Sequence, residues 1–269
     1  MESLIARAIH ARVEPVALLF SDELPAGAKQ FGEGKWGCVM WLLVAAAKGQ
    51  PAAAGWTTFG CLGGGTGLGF GNQYENWPGG IDCFYRFLST GNGPQEDAGW
   101  TTAPGVRRGA SSDFIHGERY VKDPEGVRRF VDALPMTEVP TRYVVLKPLS
   151  QVHADEHPEV VIFLVDPDRL SALVVLANYG RNTNESVIMP WGAGCQTIGI
   201  LAYREARSPH PRAVVGLTDL SARKYVAKQL GHDLMTFAAP FALFQEMEGN
   251  VPGSFLERET WNELLADRD

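Results

Sequence analysis

Four cysteines, at positions 38, 61, 83 and 195, are the residues of this chain best suited to chemistry. Four thiolates complete a [4Fe-4S] cluster or a tetrahedral zinc site. The intervals of 23, 22 and 112 residues contain no C-x-x-C pair, so the chain carries neither a zinc-ribbon nor a bacterial ferredoxin pattern. Cys38, Cys61, Cys83 and Cys195 must therefore come together from separate segments if they share one centre. Cys61 and Cys195 stand in glycine-rich stretches and Cys38 follows Trp36-Gly37, where backbone N–H groups can face sulfur. Amide donors stabilise charge on sulfur and tune its potential, which favours iron-sulfur over structural zinc. The plainer reading is four unlinked, buried thiols. A helix starting around Cys195 predicts a lowered thiol pKa there, and hence the most reactive or most tightly metallated of the four.

Glycine supplies the second signal. Residues 60–71 read GCLGGGTGLGFG, seven glycines in twelve positions, which predicts a loop in which Gly60, Gly63, Gly64 and Gly65 expose backbone N–H groups to a ligand. Gly192 and Gly194 precede a predicted helix and offer a second such place, and helix starts of this kind bind anions. Neither stretch has the strand and downstream acid of a dinucleotide fingerprint, and no P-loop is present. Asp219 or Ser221 is expected to cap a helix, which places Arg223 in its first turn, either as surface charge or holding an acidic ligand or an anionic cluster. No G-x-S-x-G occurs and the six histidines are scattered in polar segments, which argues against nucleophilic hydrolysis. Trp36, Phe59 and Trp191 lie beside three of the cysteines and would limit water there.

These residues have to be positioned by a substantial fold. Short apolar runs predict strands at 15–20, 142–146, 159–165, 186–189, 212–216 and 234–238. Helices are expected at the N-terminus and over 38–47, 123–134, 166–178, 194–206, 221–230, 240–247 and 254–265. This alternation predicts an α/β or α+β protein, a layered mixed sheet with flanking helices, formed by residues 1–269 as a single domain. A strand followed by a Gly-Cys-led helix occurs twice, an echo that fits two related halves, 1–135 and 136–269. Residues 91–117, rich in Gly, Ser, Thr, Pro and charge, are expected to form a mobile lid over the glycine-rich site.

Composition narrows the partners. The 269 residues are 45% hydrophobic and 20% charged, with a net charge of −7. That balance argues against nucleic-acid binding, and Arg107-Arg108 and Arg128-Arg129 are only short pairs. The longest apolar run, 38–47, is too short for a membrane span, and the N-terminus lacks a signal-peptide core, so a cytoplasmic, reducing setting is expected. Disulfides are not expected there.

The stretches GGGTGLGFGNQYENWPGG, DPDRLSALVVLANYG, GAGCQTIG and GLTDLSARKY resemble the DUF169 family, an uncharacterised bacterial and archaeal group, and the resemblance runs nearly the whole length. It implies one continuous unit and no particular activity. The combined expectation is a [4Fe-4S]-binding protein with a redox or small-molecule role, working with a redox partner or a small-molecule ligand, with self-association left open. The alternative is a regulatory module without redox chemistry that binds an anionic metabolite through its glycine loops.

Overall fold

Runs of Val, Ile, Leu and Phe set the strands. In the computed structural model, which describes residues 1–93 and 111–266, they are β1 (Val16–Ser21), β2 (Ala52–Gly55), β3 (Tyr143–Pro148), β4 (Val160–Val165), β5 (Val187–Ile188), β6 (Ala213–Gly216) and β7 (Met235–Pro240). They form one sheet of order β2-β3-β1-β4-β7-β6-β5. Neighbours are antiparallel except β5 and β6, which run parallel. Six strands lie where the apolar runs predict. The seventh, β2, reads AAAG, and alanine and glycine carry little strand preference, so only its pairing to β3 reveals it.

The strands read as continuous apolar runs because both faces of the sheet are covered. In β4, Val160, Ile162 and Leu164 enter one core while Val161, Phe163 and Val165 enter the other. The second core is closed by α1 (Leu4–Ala8), α7 (Pro167–Asn178), α11 (Phe241–Asn250) and α12 (Glu259–Ala266). The first is closed by α2 (Val39–Ala47), α3 (Leu62–Leu68), α4 (Ile81–Leu88), α6 (Pro124–Asp132), α8 (Gly194–Ile198), α9 (Ile200–Ala206) and α10 (Leu220–Leu230). The result is three layers, helix, mixed sheet and helix. Asp123, Asp166 and Asp219 cap α6, α7 and α10, each accepting from first-turn amides.

The glycine-rich stretch is a helix rather than the expected loop. Cys61 caps α3, four of whose seven residues are glycine, and Gly69 (φ +92°) closes it. Glycine inside a helix costs about 1 kcal/mol relative to alanine, so tertiary contact has to hold this one. That contact is α8. A Cβ at Gly67 would stand 2.7 Å from Cys195 Sγ and 2.8 Å from the Gln196 nitrogen, and one at Gly199 would stand 2.0 Å from the Gly67 carbonyl oxygen. Two backbones touch here, which only glycine permits. Gly199 also breaks the expected helix over 194–206 into α8 and α9.

Residues 94–110, the body of the expected lid and the site of Arg107-Arg108, lie outside the described residues. Their flanks are joined: Asn92 N–H donates to the Phe114 carbonyl at 2.9 Å and Gly93 N–H to Ile115 at 3.0 Å, against α5 (Ser111–His116).

Gly199→Ala drives a methyl group into the Gly67 carbonyl and is expected to cost on the order of 1–3 kcal/mol or more. Gly249→Ala, exposed on α11 with open space around its Cβ position, should be neutral or stabilise by up to about 0.5–1 kcal/mol. Denaturant titration of the two variants checks this; equal stabilities would remove the α3–α8 contact as the explanation for the glycines.

Candidate functional site

Three cysteines are carried by three helix starts. Cys38 caps α2, Cys61 caps α3 and Cys195 is the second residue of α8, while Asp219 caps α10. Packing brings these starts together. A Cβ at Gly194 would meet Met40 Sδ of α2 at 2.9 Å and Ala222 Cβ of α10 at 3.2 Å, so the head of α8 is wedged between those two helices. Cys61 N–H donates to the Gly37 carbonyl at 3.0 Å, which ties the head of α3 to the residue before Cys38. The Cys195 thiol donates to the Gly63 carbonyl at 3.0 Å. Edge-to-face rings of Trp36 and Trp41 (5.6 Å) and of Trp41 and Tyr225 (5.2 Å) hold α2 against α10.

Cys83 sits elsewhere. It is buried on α4 among Phe114, Trp77 and Phe87, and its charged neighbour is Arg86. The structure thus gathers three of the four cysteines; all four are free thiols.

Burial dominates the chemistry of the three. It pushes the Cys38 thiol up to about 12, reinforced by Cys61 and Asp219 and opposed by the amides of Met40 and Trp41. Burial likewise raises Cys61, against the pull of the Gly64 N–H, which donates to its Sγ at 3.2 Å. Cys195 is driven well above the usual thiol range by burial and then by Cys61, Cys38 and Asp219. The helix start at Cys195 therefore does not yield a reactive thiolate. Desolvation and like charges outweigh one short helix.

Further groups couple to the thiols or to Asp219. Tyr74 is buried beside Cys195 and Cys61. Glu118 is raised to about 8 by burial, then by Asp219 and Asp113, and Tyr120 to about 12 by burial, then by Glu118 and Asp219. The charges acting most strongly on the thiols are one another and Asp219, all negative, so their ionised forms call for a cation. Tyr74, Glu118, Tyr120 and Gln196 escape sequence reading because isolated polar residues in turn-rich or helical segments carry no spacing signal.

The remaining predicted residues are placed as follows. Gly63, Gly64 and Gly65 lie within α3, with Gly64 against Val39 and the Phe59 carbonyl and Gly65 against Gln73 and the Phe59 ring. Gly60 adopts φ +83° and passes close to the Gly37 carbonyl, and Gly192 lies beside Gln196 Oε1. The Arg223 guanidinium donates to the carbonyls of His232 at 2.7 Å and Leu234 at 3.1 Å, so it clamps the loop after α10. Trp191 packs on Phe130 at 4.8 Å. All six histidines are exposed. A cleft of ≈ 380 Å³ runs along α10 past Leu220, Arg223, Lys224 and Lys228 and is not lined by the cysteines. Among the described residues, no group of three or more His, Cys, Asp or Glu could hold a metal ion, and no helix is long and apolar enough to cross a membrane.

The profile of the DUF169 family, described as uncharacterised ArCR, matches residues 4–250. No curated protein and no solved structure matches the chain.

Glu118 predicts a pH dependence of stability. Its folded pKa of about 8 lies above the ordinary 4.5, so between these values the folded state holds a proton that the unfolded state releases, and stability falls as pH rises through that window. Glu118→Gln should flatten this slope and be the more stable protein above pH 8, as read by thermal melts from pH 4 to 9. Identical slopes for both proteins would mean that Glu118 is solvated. In the metal-free protein near neutral pH, Cys38, Cys61 and Cys195 should resist iodoacetamide until the chain is unfolded, which mass spectrometry of the labelled peptides would show.

Proposed function

We propose that this chain, which belongs to the DUF169 family, binds a [4Fe-4S] cluster through Cys38, Cys61 and Cys195 and serves a redox or small-molecule role in the cytoplasm. The observation that carries the proposal is the meeting of these three soft donors, from three distant segments, in one half-buried cluster whose strongest charged influences are negative. Thiols are the donors that such a group takes. A single ion needs sulfurs all about 2.3 Å from one point, whereas a cubane spreads its ligands over separate corner irons. The amides of Met40, Trp41, Gly63 and Gly64 favour charge on sulfur and so support a thiolate-bound cluster. A bound cluster supplies one-electron chemistry, and with three protein thiolates it keeps one iron open to a small molecule.

The protein's own residues would shape the rest. Burial limits water at the thiols, Glu118 holds a proton at neutral pH, and the cationic cleft along α10 offers a landing place for an acidic redox partner. Binding of an anionic metabolite through glycine loops has less support, because Gly64, Gly65, Gly67 and Gly194 face protein atoms at van der Waals distance or closer.

Anaerobic purification should yield a brown protein with iron and acid-labile sulfide in equal amounts. Serine at position 38, 61 or 195 should lower the iron content at least several-fold while far-ultraviolet circular dichroism persists, and Cys83→Ser should keep it. Full iron in Cys195→Ser, or its loss in Cys83→Ser alone, would place the centre elsewhere.

A further inference from the structure

Helix α10 turns one face away from the core. Ala222 and Val226 enter the core, while Leu220, Arg223, Lys224, Ala227 and Lys228, at the i, i+3, i+4, i+7 and i+8 positions, form a stripe along the cleft. The remaining walls come from residues that flank the helix, Leu217 before it and His232 and Leu234 after it. The volume of ≈ 380 Å³ falls within the range of small-molecule sites, about 300–1,000 Å³.

Charge in this cleft is one-sided. The Arg223 guanidinium donates to the carbonyls of Leu217 at 3.4 Å, Leu234 at 3.1 Å and His232 at 2.7 Å, none of which carries a negative charge. Lys224 and Lys228 are exposed one turn apart, where like charges repel. Among the described residues, none of these three cations is in an ion pair and no acid lines the cleft, although the whole chain carries a net charge of −7. The neighbouring acids are engaged elsewhere: Asp219 caps α10, and Asp233 accepts from Arg12 at 2.9 Å.

Apolar surface lies beside these cations. Leu220 is 64% exposed, more than any other large apolar side chain among the described residues. Leu217 holds a left-handed backbone, φ +63°, which a bulky residue rarely adopts. Such strain persists where the surroundings impose it, and it gathers at ligand sites. Apolar walls and cations without acid partners suit a ligand that carries both an acid and a short tail.

We propose that the cleft along α10 binds a small amphipathic anion, an alkyl carboxylate or alkyl phosphate. The oxyanion sits at Lys224 and Lys228 and relieves their repulsion, and the tail covers Leu217 and Leu220. Arg223 ties the walls together and adds its charge. No cysteine lines the cleft, so the site does not depend on the reading of the thiols as cluster ligands.

Isothermal titration calorimetry of the full chain with octanoate and with octyl phosphate, below micelle formation, should show saturable binding, and the tighter of the two names the headgroup. Octylamine, which has the tail with the opposite charge, and acetate and inorganic phosphate, which have no tail, should each bind about tenfold more weakly or worse. Lys224→Glu combined with Lys228→Glu should weaken binding by about tenfold or more while far-ultraviolet circular dichroism persists. Lys29→Glu combined with Arg258→Glu makes the same change of net charge at exposed positions beside β2 and directly before α12, and should keep the wild-type affinity. Equal affinities in the two double variants overturn the proposal, as does octylamine binding as tightly as octanoate or an absence of saturable binding by both anions. A chain that takes up no iron yet binds octanoate defeats the cluster reading and supports this site.

Discussion

The direct backbone contact between α3 and α8 is the constraint on which the candidate site depends. Two glycines, Gly67 and Gly199, let the helices approach until a methyl group on either would overlap the other's main chain. This closeness brings the Cys195 thiol onto the Gly63 carbonyl and the Gln196 side chain onto Tyr74. It also accounts for an unusual helix. With four glycines in seven residues, α3 has little intrinsic stability, and about 1 kcal/mol per glycine has to be offset by the packing it permits. Local preference and tertiary need conflict here, and such conflicts are expected where function is served.

From that contact the electrostatics follow. Helix starts favour negative charge, yet the three thiols they carry are half-buried or buried next to one another and to Asp219, and desolvation wins. Protonated thiols are inert, and the proposed metal centre would take their protons, because a coordinated thiol gives up its proton outright. Packing that suppresses free thiolates also suppresses unwanted oxidation, which tracks thiolate character and exposure.

The sheet contributes the platform. Burying an almost wholly antiparallel sheet on both faces separates two cores: one holds α1, α7, α11 and α12, and the other holds the cysteine-bearing helices. Short loops after β5 and β6 then fix the heads of α8 and α10. Thr218 Oγ1 donates to the Pro190 carbonyl at 3.3 Å, joining the segments that lead into α10 and α8. The thiols therefore rest on elements anchored in a large core rather than on free loops.

The sequence by itself determined the layered α/β class, six of the seven strands and most helices, because burial on both faces leaves long apolar runs that only a covered sheet can satisfy. The cap of α10 was readable as Asp219 or Ser221, and the structure assigns it to Asp219, because capping is local and its signal lies within a few residues. The cysteines were legible as candidate ligands by type, but their grouping was not. Cys83 and Cys195 look alike in a sequence, and only tertiary packing sends one into an aromatic pocket and the other onto Gly63. The glycine-rich stretch misled because glycine's local preference is for loops, whereas here its lack of a side chain serves helix contact. Tyr74, Glu118 and Gln196 had no sequence signature at all. Their roles come from burial and from partners 100 or more residues away, such as the Gln196–Tyr74 bond across 122 positions, and burial and direction are properties that only the folded chain possesses.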